Sequence, residues 1–555
     1  MELAELISGL ADPSAYPFSV SGVEVRQTHI SAVFLTDQYV YKVKKPVDYG
    51  FLDFGTLKQR RHFCHEELRL NRRLAAEVYL QVVPITAIDG HVRVESAGEP
   101  LEWAVKMRRL PDNATLAERL AHGDVDAHSM RELGLRIANF HAAADSGPHI
   151  DAFGHFDVVA DNARQNFAQS LEQIGQTVSR AVFHRLQSLT EAELQRLRPL
   201  IESRAKRGVP RDTHGDLRLD HVYLLPDRQP PDNLVVIDCV EFSQRFRFAD
   251  PISDIAFLIM DLNLHGQREL AREFLAAYIQ ASGDDQGRKL VPLYTAYRAA
   301  VRGKVEGLKL NRGEMDQAEQ QAAFAQARRS WLLALDQLQQ PQLRPCLLLV
   351  AGLPGTGKST LAQQLCASAN LHWIRSDVVR QELASAARDQ PQPTSSSPTT
   401  MQTSPATPSS CGEGVYGQGL YTAEWNRRTY RECLRRATEL LFEGERVLVD
   451  ANFRIEADRR EFLDAAAMMG VRCAAIACQA DAQVVRTRLA NRHGDASQAD
   501  WSVYERAAQT WQQPGPRTRS VWRIIDSGGS LHNSVAQALE ALRHWGLLAD
   551  NSHSC

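Results

Sequence analysis

Long apolar runs are missing from this chain. The best of them, Cys346–Ala351 (CLLLVA), stops at Gly352, far short of the roughly 20 residues that a membrane-crossing helix requires. No membrane partner is therefore expected. Cysteine is sparse, with nine residues in 555 and no C-x-x-C pair. That usage points to reduced core thiols and away from a disulfide framework or a zinc site. Neither sign of charge dominates: 64 Lys and Arg face 67 Asp and Glu, for a net charge of −3. Such balance argues against a dedicated nucleic-acid coat protein, although a local basic cleft is compatible with it. The start, Met1-Glu2-Leu3-Ala4-Glu5, lacks the basic beginning and apolar core of a signal peptide, so a cytoplasmic protein is expected. No internal repeat of roughly 20–50 residues is visible. What remains is 44% hydrophobic and 24% charged, an ordinary globular balance. The length suits two or three domains.

The strongest local signal lies at residues 346–360, CLLLVAGLPGTGKST. Gly352-Leu353-Pro354-Gly355-Thr356-Gly357-Lys358-Ser359 matches G-x-x-x-x-G-K-[ST] and is followed by Thr360. Glycines let backbone N–H groups curl around phosphate oxygens. Lys358 brings a positive charge to the β- and γ-phosphates, and the Ser359 hydroxyl is suited to hold Mg²⁺. A helix beginning near Lys358 would point its positive end at the same anion. Nucleotide-binding candidates are therefore Gly352 through Thr360, with ATP and Mg²⁺ as the implied cofactors.

Further short apolar runs follow. His372–Asp377 and Val447–Asp450 both end in a carboxylate, and Ala474–Cys478 and Val521–Ile525 add two more. Strands alternating with helices predict an α/β fold with a parallel, doubly wound sheet, whose ligands sit at the carboxyl ends of the strands. Asp450 is the candidate metal-positioning carboxylate of a Walker B strand, with Asn452 behind it. Arg486, Arg488 and Arg492 sit at helical spacing and are candidates to close over ATP; the bland alternative for each is a solvated helix face.

This half resembles the small P-loop kinases of metabolites and RNA ends, and the zeta-toxin-type kinases. The resemblance implies that Asp377, in Arg375-Ser376-Asp377, is the base near the acceptor hydroxyl. It further implies that Arg380 contacts substrate. The structural alternative for Asp377 is an N-cap for a helix starting at Val378.

The N-terminal part carries a second pattern. RDTHGDLRLDH at 211–221 and LVVIDCVEF at 234–242 resemble the catalytic loop and the metal-binding strand end of protein-kinase-like enzymes. Asp216 would then be the base and Asp238 a Mg²⁺ ligand. Upstream, YVYKVK at 39–44 resembles the third strand of that fold, with Lys42 as its phosphate-binding lysine. Glu66 and Glu67 follow on a helix, and Glu67 is favoured as the partner of Lys42. With Asp250-Pro251 and Asp254, the pattern is similar to aminoglycoside phosphotransferase-like kinases. YKVKKPVDYGFLDF and YRAAVRGKVEGLKL resemble a bacterial family that fuses such a domain to a P-loop kinase. Two departures stand out. His221 occupies the position of the metal-binding Asn, and no Gly-rich loop precedes Lys42.

The expected layout is an α+β protein-kinase-like domain over residues 1–312, a helical connector over 313–342 and a P-loop domain over 343–550. A Ser/Thr/Pro-rich insertion, expected to be mobile, covers 389–411. The expected function is ATP-dependent phosphorylation of small-molecule hydroxyls, by both domains. Two alternatives stay open: a P-loop kinase controlled by an inactive N-terminal pseudokinase, and an RNA-end or nucleotide kinase. A polycationic acceptor fits poorly, because 261–310 holds more basic than acidic residues.

Overall fold

The computed structural model describes residues 2–50, 52–310, 315–388, 422–491 and 500–549. The chain divides into two compact units: Met1–Gln165 with Ala192–Arg298, and Asn166–Glu191 with Ala299–Cys555.

In the first unit, six strands form an antiparallel sheet: β1 (Glu24–Gln27), β2 (Ser31–Leu35), β3 (Tyr39–Lys44), β4 (Tyr79–Ile88), β5 (His91–Val94) and β6 (Glu102–Arg108). Their order is β1-β2-β3-β6-β4-β5, which places β3 inside the sheet. Helix Leu57–Ala75 packs against this sheet. It starts in a capping box: the Thr56 hydroxyl accepts from the Gln59 N–H at 3.2 Å, and the Gln59 side chain accepts from the Thr56 N–H at 2.9 Å. Cys64, Glu67, Leu70, Asn71 and Leu74 are its buried residues at three- and four-residue spacing, one helical face. That face carries a single acid, Glu67, inward.

The rest of the unit is mostly helical. Leu133, Ile137 and Phe140 share a core with Phe274 and Tyr278. Two short two-stranded sheets frame its loops: β7 (Arg211–Asp212) pairs with β10 (Phe248–Ala249), and β8 (Val222–Leu224) with β9 (Leu234–Val236). Helix Pro251–Leu264 begins where the Asp250 carboxylate accepts from the Ile252 N–H at 2.9 Å, with proline at its first position. The unit is an α+β, protein-kinase-like architecture.

The second unit is built on a parallel sheet of β11 (Cys346–Ala351), β12 (His372–Arg375), β13 (Arg446–Asp450), β14 (Arg472–Gln479) and β15 (Trp522–Asp526). Strand order is β12-β13-β11-β14-β15, and every residue of β11 and β13 is buried. Continuous apolar runs suit strands covered on both faces. This is the expected α/β P-loop sheet.

Helix Gln317–Leu338, within the expected connector, belongs to the second unit. Its Trp331 is fully buried, with ring centroids 6.5 Å from Phe167 and 6.0 Å from Phe183. Its Asp336 holds Arg472 of β14 at 3.0 Å. Asn166–Glu191, which supplies Phe167 and Phe183, belongs to the same unit. The insertion expected at 389–411 lies outside the described residues. Among those that are described, no helix is long and apolar enough to cross a membrane.

Candidate active sites

The P-loop unit gathers its polar groups at the carboxyl ends of β11, β12 and β13. Gly352 has φ of +142°, and a Cβ there would stand 2.7 Å from the Cys478 carbonyl oxygen, so only glycine lets the chain leave the sheet at this point. Leu353 and Thr356 shape the loop: the Thr356 hydroxyl donates to the Leu353 carbonyl at 2.8 Å, and Lys358 Nζ donates to the same oxygen at 2.9 Å. Helix Lys358–Ala369 starts at the expected residue.

Asp450 ends β13, in register with Val350 of β11 and Arg375 of β12. Burial raises its proton affinity, opposed by the Lys358 charge and the hydrogen bond from Ser359. A buried carboxylate beside a hydroxyl and a phosphate loop offers hard oxygen donors, the set Mg²⁺ prefers. These residues fit the ion, and Asp450 and Ser359 are the ones that would hold it.

A cleft of about 700 Å³ opens over these groups. Pro354, Gly355, Gly357, Lys358, Ser359, Thr360, Asp377, Arg380, Asp450, Asn452 and Arg488 all line it. Asp377 does not cap a helix starting at Val378: the helix begins at Ser376, and Asp377 sits within its first turn. A carboxylate there is favoured by the helix dipole. Arg488 lies 3.5 Å from where a Gly357 Cβ would be. Arg486 instead stacks over Trp501, 5.5 Å from the ring centroid, and Arg492 lies outside the described residues. Sequence reasoning missed Arg427, Tyr430, Arg454 and Asp458, which also line the cleft. The spacing of Arg427 and Tyr430 on helix Ala423–Phe442 was the available signal.

In the first unit, Lys42 Nζ lies 2.9 Å from Glu67 Oε1 and 2.5 Å from Asp238 Oδ1. Burial works against its charge, but Asp238, Glu67 and Glu241 outweigh it and raise its pKa. Burial likewise opposes the charged form of Asp238, whose pKa Lys42 and His221 nonetheless hold well below the usual carboxylate range. Asp238 adopts φ of +64°, an uncommon conformation for a residue with a side chain. Three groups fix it there: Tyr79 accepts from its N–H at 3.2 Å, Asn71 accepts from Cys239 N–H at 2.8 Å, and the Val240 N–H reaches the His214 carbonyl at 3.1 Å.

Asp216 stands on the loop after β7. Asp254 accepts from the His214 N–H at 3.1 Å and the Gly215 N–H at 2.8 Å, tying that loop to helix Pro251–Leu264. Burial would raise the Asp254 pKa, yet the hydrogen bond and charge of His141 bring it down to about 2. Gly215 takes φ of +84°, and a Cβ would lie 3.0 Å from the Phe246 carbonyl oxygen.

His221 does not fit the metal-ligand role expected of it. Its Nδ1 donates to the Asp216 carbonyl at 2.8 Å, and the other ring nitrogen is Nε2. That nitrogen lies 3.2 Å from Arg218 Nη2, an obligatory donor. Both ring nitrogens therefore have protein partners, and the ring bridges the Asp216 loop to Asp238, 3.6 Å away. The Asp238 and Asp216 carboxylates fit Mg²⁺; the imidazole does not. Where a Gly-rich loop was sought, β1 and β2 are joined by a tight turn in which Thr28 Oγ1 accepts from the Ser31 N–H at 3.0 Å. Lys44 and Glu241 were missed. Lys44 is two residues beyond Lys42, on the same strand face.

Residues 347–514 match a family described as AAA domain. An uncharacterized protein of Mycobacterium tuberculosis (strain H37Rv) is 32% identical over 512 residues, covering 90% of this chain and 94% of that one. The chain belongs to that protein's family. The relationship spans both units of the chain. Among solved structures, the chain is similar to a choline/ethanolamine kinase family protein from Mesorhizobium loti (13% identity, 60% of this chain and 95% of that one, TM-score 0.34). It is also similar to a gluconokinase from Sinorhizobium meliloti (16% identity, 36% of this chain and 94% of that one, TM-score 0.25).

Proposed function

We propose that the chain is an ATP-dependent phosphotransferase whose P-loop unit moves the γ-phosphoryl group of ATP to a hydroxyl of a small molecule. The carrying observation is that Lys358, Ser359, Asp450 and Asp377 face one cleft with Arg380 and Arg488. Phosphoryl transfer needs little covalent help from a protein, and positioning with charge neutralisation suffices. Lys358 and the loop N–H groups would hold the β- and γ-phosphates. Asp377 would take the proton of the acceptor hydroxyl as the oxygen attacks phosphorus. Arg488 would offset charge on the transferring oxygens. Mg²⁺, when bound, supplies further charge neutralisation and orientation of the phosphates.

The first unit carries a second nucleotide site in this reading, with Lys42 and Glu67 for the phosphates, Asp238 for the metal and Asp216 as base. Its locked His221 and the absence of a Gly-rich turn favour a second reading, in which this unit binds nucleotide without transferring it. Cys64, Cys239, Cys346 and Cys433 are buried and unpaired, which supports a reducing, cytoplasmic setting.

Calorimetric titration with Mg·AMP-PNP tests the scheme. The intact chain is expected to bind two equivalents and Lys358→Ala one. One equivalent falling to none would remove nucleotide binding from the first unit. No binding by the intact chain would sink the kinase reading altogether.

A further inference from the structure

The cleft of the P-loop unit extends past the phosphate loop and Asp377 to a second cluster of charge. Arg380 lies one helical turn beyond Asp377, Arg427 comes from helix Ala423–Phe442, and Arg454 comes from the loop after β13. The loop that carries Arg454 is elaborately fixed. Phe453 takes φ of +46°, a conformation that side chains rarely adopt and that needs support from its surroundings. The support is present: the Phe453 N–H donates to the Tyr430 hydroxyl at 3.0 Å, and its ring sits edge-on to Tyr430 and Phe462, with centroids 5.4 and 5.1 Å away.

Arg459 adds the other half of the brace. Its fully buried guanidinium donates to the Phe453 carbonyl at 2.6 Å and the Arg454 carbonyl at 3.3 Å. It lies 4.8 Å from the Trp511 ring and 4.7 Å from Trp522. The Gln512 N–H also reaches the Arg454 carbonyl, at 2.9 Å. A strained backbone held from several sides is a fixture of functional sites, and this one places Arg454 in the cleft lining, with its guanidinium also donating to the Thr510 hydroxyl.

Two acids share that end of the cleft. Asp377 serves as the base. Asp458 is pushed toward its neutral form by burial and by Glu461, against Arg454 and Arg459. Three arginines, Arg380, Arg427 and Arg454, line the cleft with these two acids, and arginine is the side chain suited to planar, bidentate capture of phosphate or carboxylate.

We propose that the acceptor phosphorylated in the P-loop unit is itself an anion, a small hydroxyl compound bearing a phosphate or carboxylate group that Arg380, Arg427 and Arg454 hold. This rests on reading the cleft as a kinase site. Held so, the acceptor directs a hydroxyl toward Asp377. The hydroxyl oxygen forms a bond to the γ-phosphorus, the bond from that phosphorus to the β,γ-bridging oxygen breaks, and the hydroxyl proton passes to Asp377. ADP leaves, and the product carries one more phosphoryl group than the acceptor.

The test uses the full chain saturated with Mg·AMP-PNP, which fills the phosphate loop, and titrates it with inorganic phosphate in one arm and malonate in the other. At least one anion is expected to bind. Arg454→Met and Arg427→Met, checked for folding by their melting temperatures, are each expected to weaken it by about tenfold or more, the worth of a charged hydrogen bond. Arg428→Met, which alters an arginine stacked on Trp425 and absent from the cleft lining, is expected to change nothing. Tighter phosphate identifies a phosphate ester as acceptor and tighter malonate a carboxylate. Failure of both anions to bind the AMP-PNP-saturated chain would overturn the proposal, as would equal binding by wild type, Arg454→Met and Arg427→Met. Failure of AMP-PNP itself to bind would strike the kinase reading instead.

Discussion

Lys44 Nζ donates to Glu67 Oε2 at 2.8 Å, while the other oxygen of that carboxylate takes Lys42. Lys44 also pairs with Glu241, and all three of Lys44, Glu67 and Glu241 are buried. Glu67 is thus held from two sides, so the lysine expected to meet phosphate faces a carboxylate that has little freedom to leave. Burial raises the Glu241 pKa, whereas at Glu67 the two lysines outweigh burial and lower it. The network serves position as much as stability.

Removing Lys44 leaves two buried carboxylates with one lysine between them. Breaking a buried ion pair by deleting one partner costs about 3–5 kcal/mol, and Lys44→Met is expected to lose stability on that scale. Denaturant unfolding of the full chain followed by two probes would measure it. The double variant Lys44→Met/Glu241→Leu is expected to regain part of the loss, since it also removes an unpaired charge. A single-variant loss below about 1 kcal/mol, the worth of an exposed pair, would refute a buried network.

Asp377→Asn keeps the shape of the side chain and removes the proton acceptor. A positioned base contributes about 10²–10⁴-fold to a proton transfer, so turnover of the P-loop unit is expected to fall by that factor while AMP-PNP still binds. Single-turnover measurement of ADP release separates chemistry from binding. Unchanged turnover would return Asp377 to a helix-end role.

The groupings of residues were legible in the sequence to different depths. Gly352 through Ser359, the carboxylate just beyond β12 and the one ending β13 were plain, because a strand-loop-helix phosphate site is encoded locally and each residue type answers one local demand. Lys42, Asp216, Asp238 and Glu67 were legible through resemblance, and the geometry brings Lys42, Glu67 and Asp238 into direct contact. Glu241 was not, since its partner Lys44 lies on a distant strand, and only folding brings the two together. Arg454 was hidden for another reason: it acquires its place from a left-handed Phe453 and a buried Arg459, neither of which is visible in periodicity.

His214 gives the first unit a pH dependence with a definite sign. Burial lowers its pKa from 6.5 to about 4, so the folded state refuses a proton that the unfolded chain accepts. Between those values the unfolded chain binds more protons, and stability therefore rises with pH from about 4 to 6.5 and falls on acidification. At roughly 1.4 kcal/mol per pH unit the contribution is on the order of 3 kcal/mol across the window. His214→Gln is expected to flatten this slope. An identical slope in wild type and variant would assign the dependence to other groups.

Asp450 sets activity against stability in the second unit. The residue is 4% exposed, and burial raises its pKa despite the Lys358 charge and the Ser359 hydrogen bond. A raised folded-state pKa means that ionisation there opposes folding once the pH exceeds it. Asp450→Asn removes that charge and retains an oxygen to accept from Ser359. The ligand-free variant is accordingly expected to be more stable than wild type, by about 0.5–2 kcal/mol, the usual return from relieving a functional site. It is also expected to lose the Mg²⁺ dependence of nucleotide binding, because an amide oxygen brings no charge to the ion. Melting of both proteins, with and without Mg·AMP-PNP, decides the matter. A variant that melts lower when ligand-free, or that keeps its Mg²⁺-dependent shift, would show that Asp450 is structural and that the ion is held elsewhere.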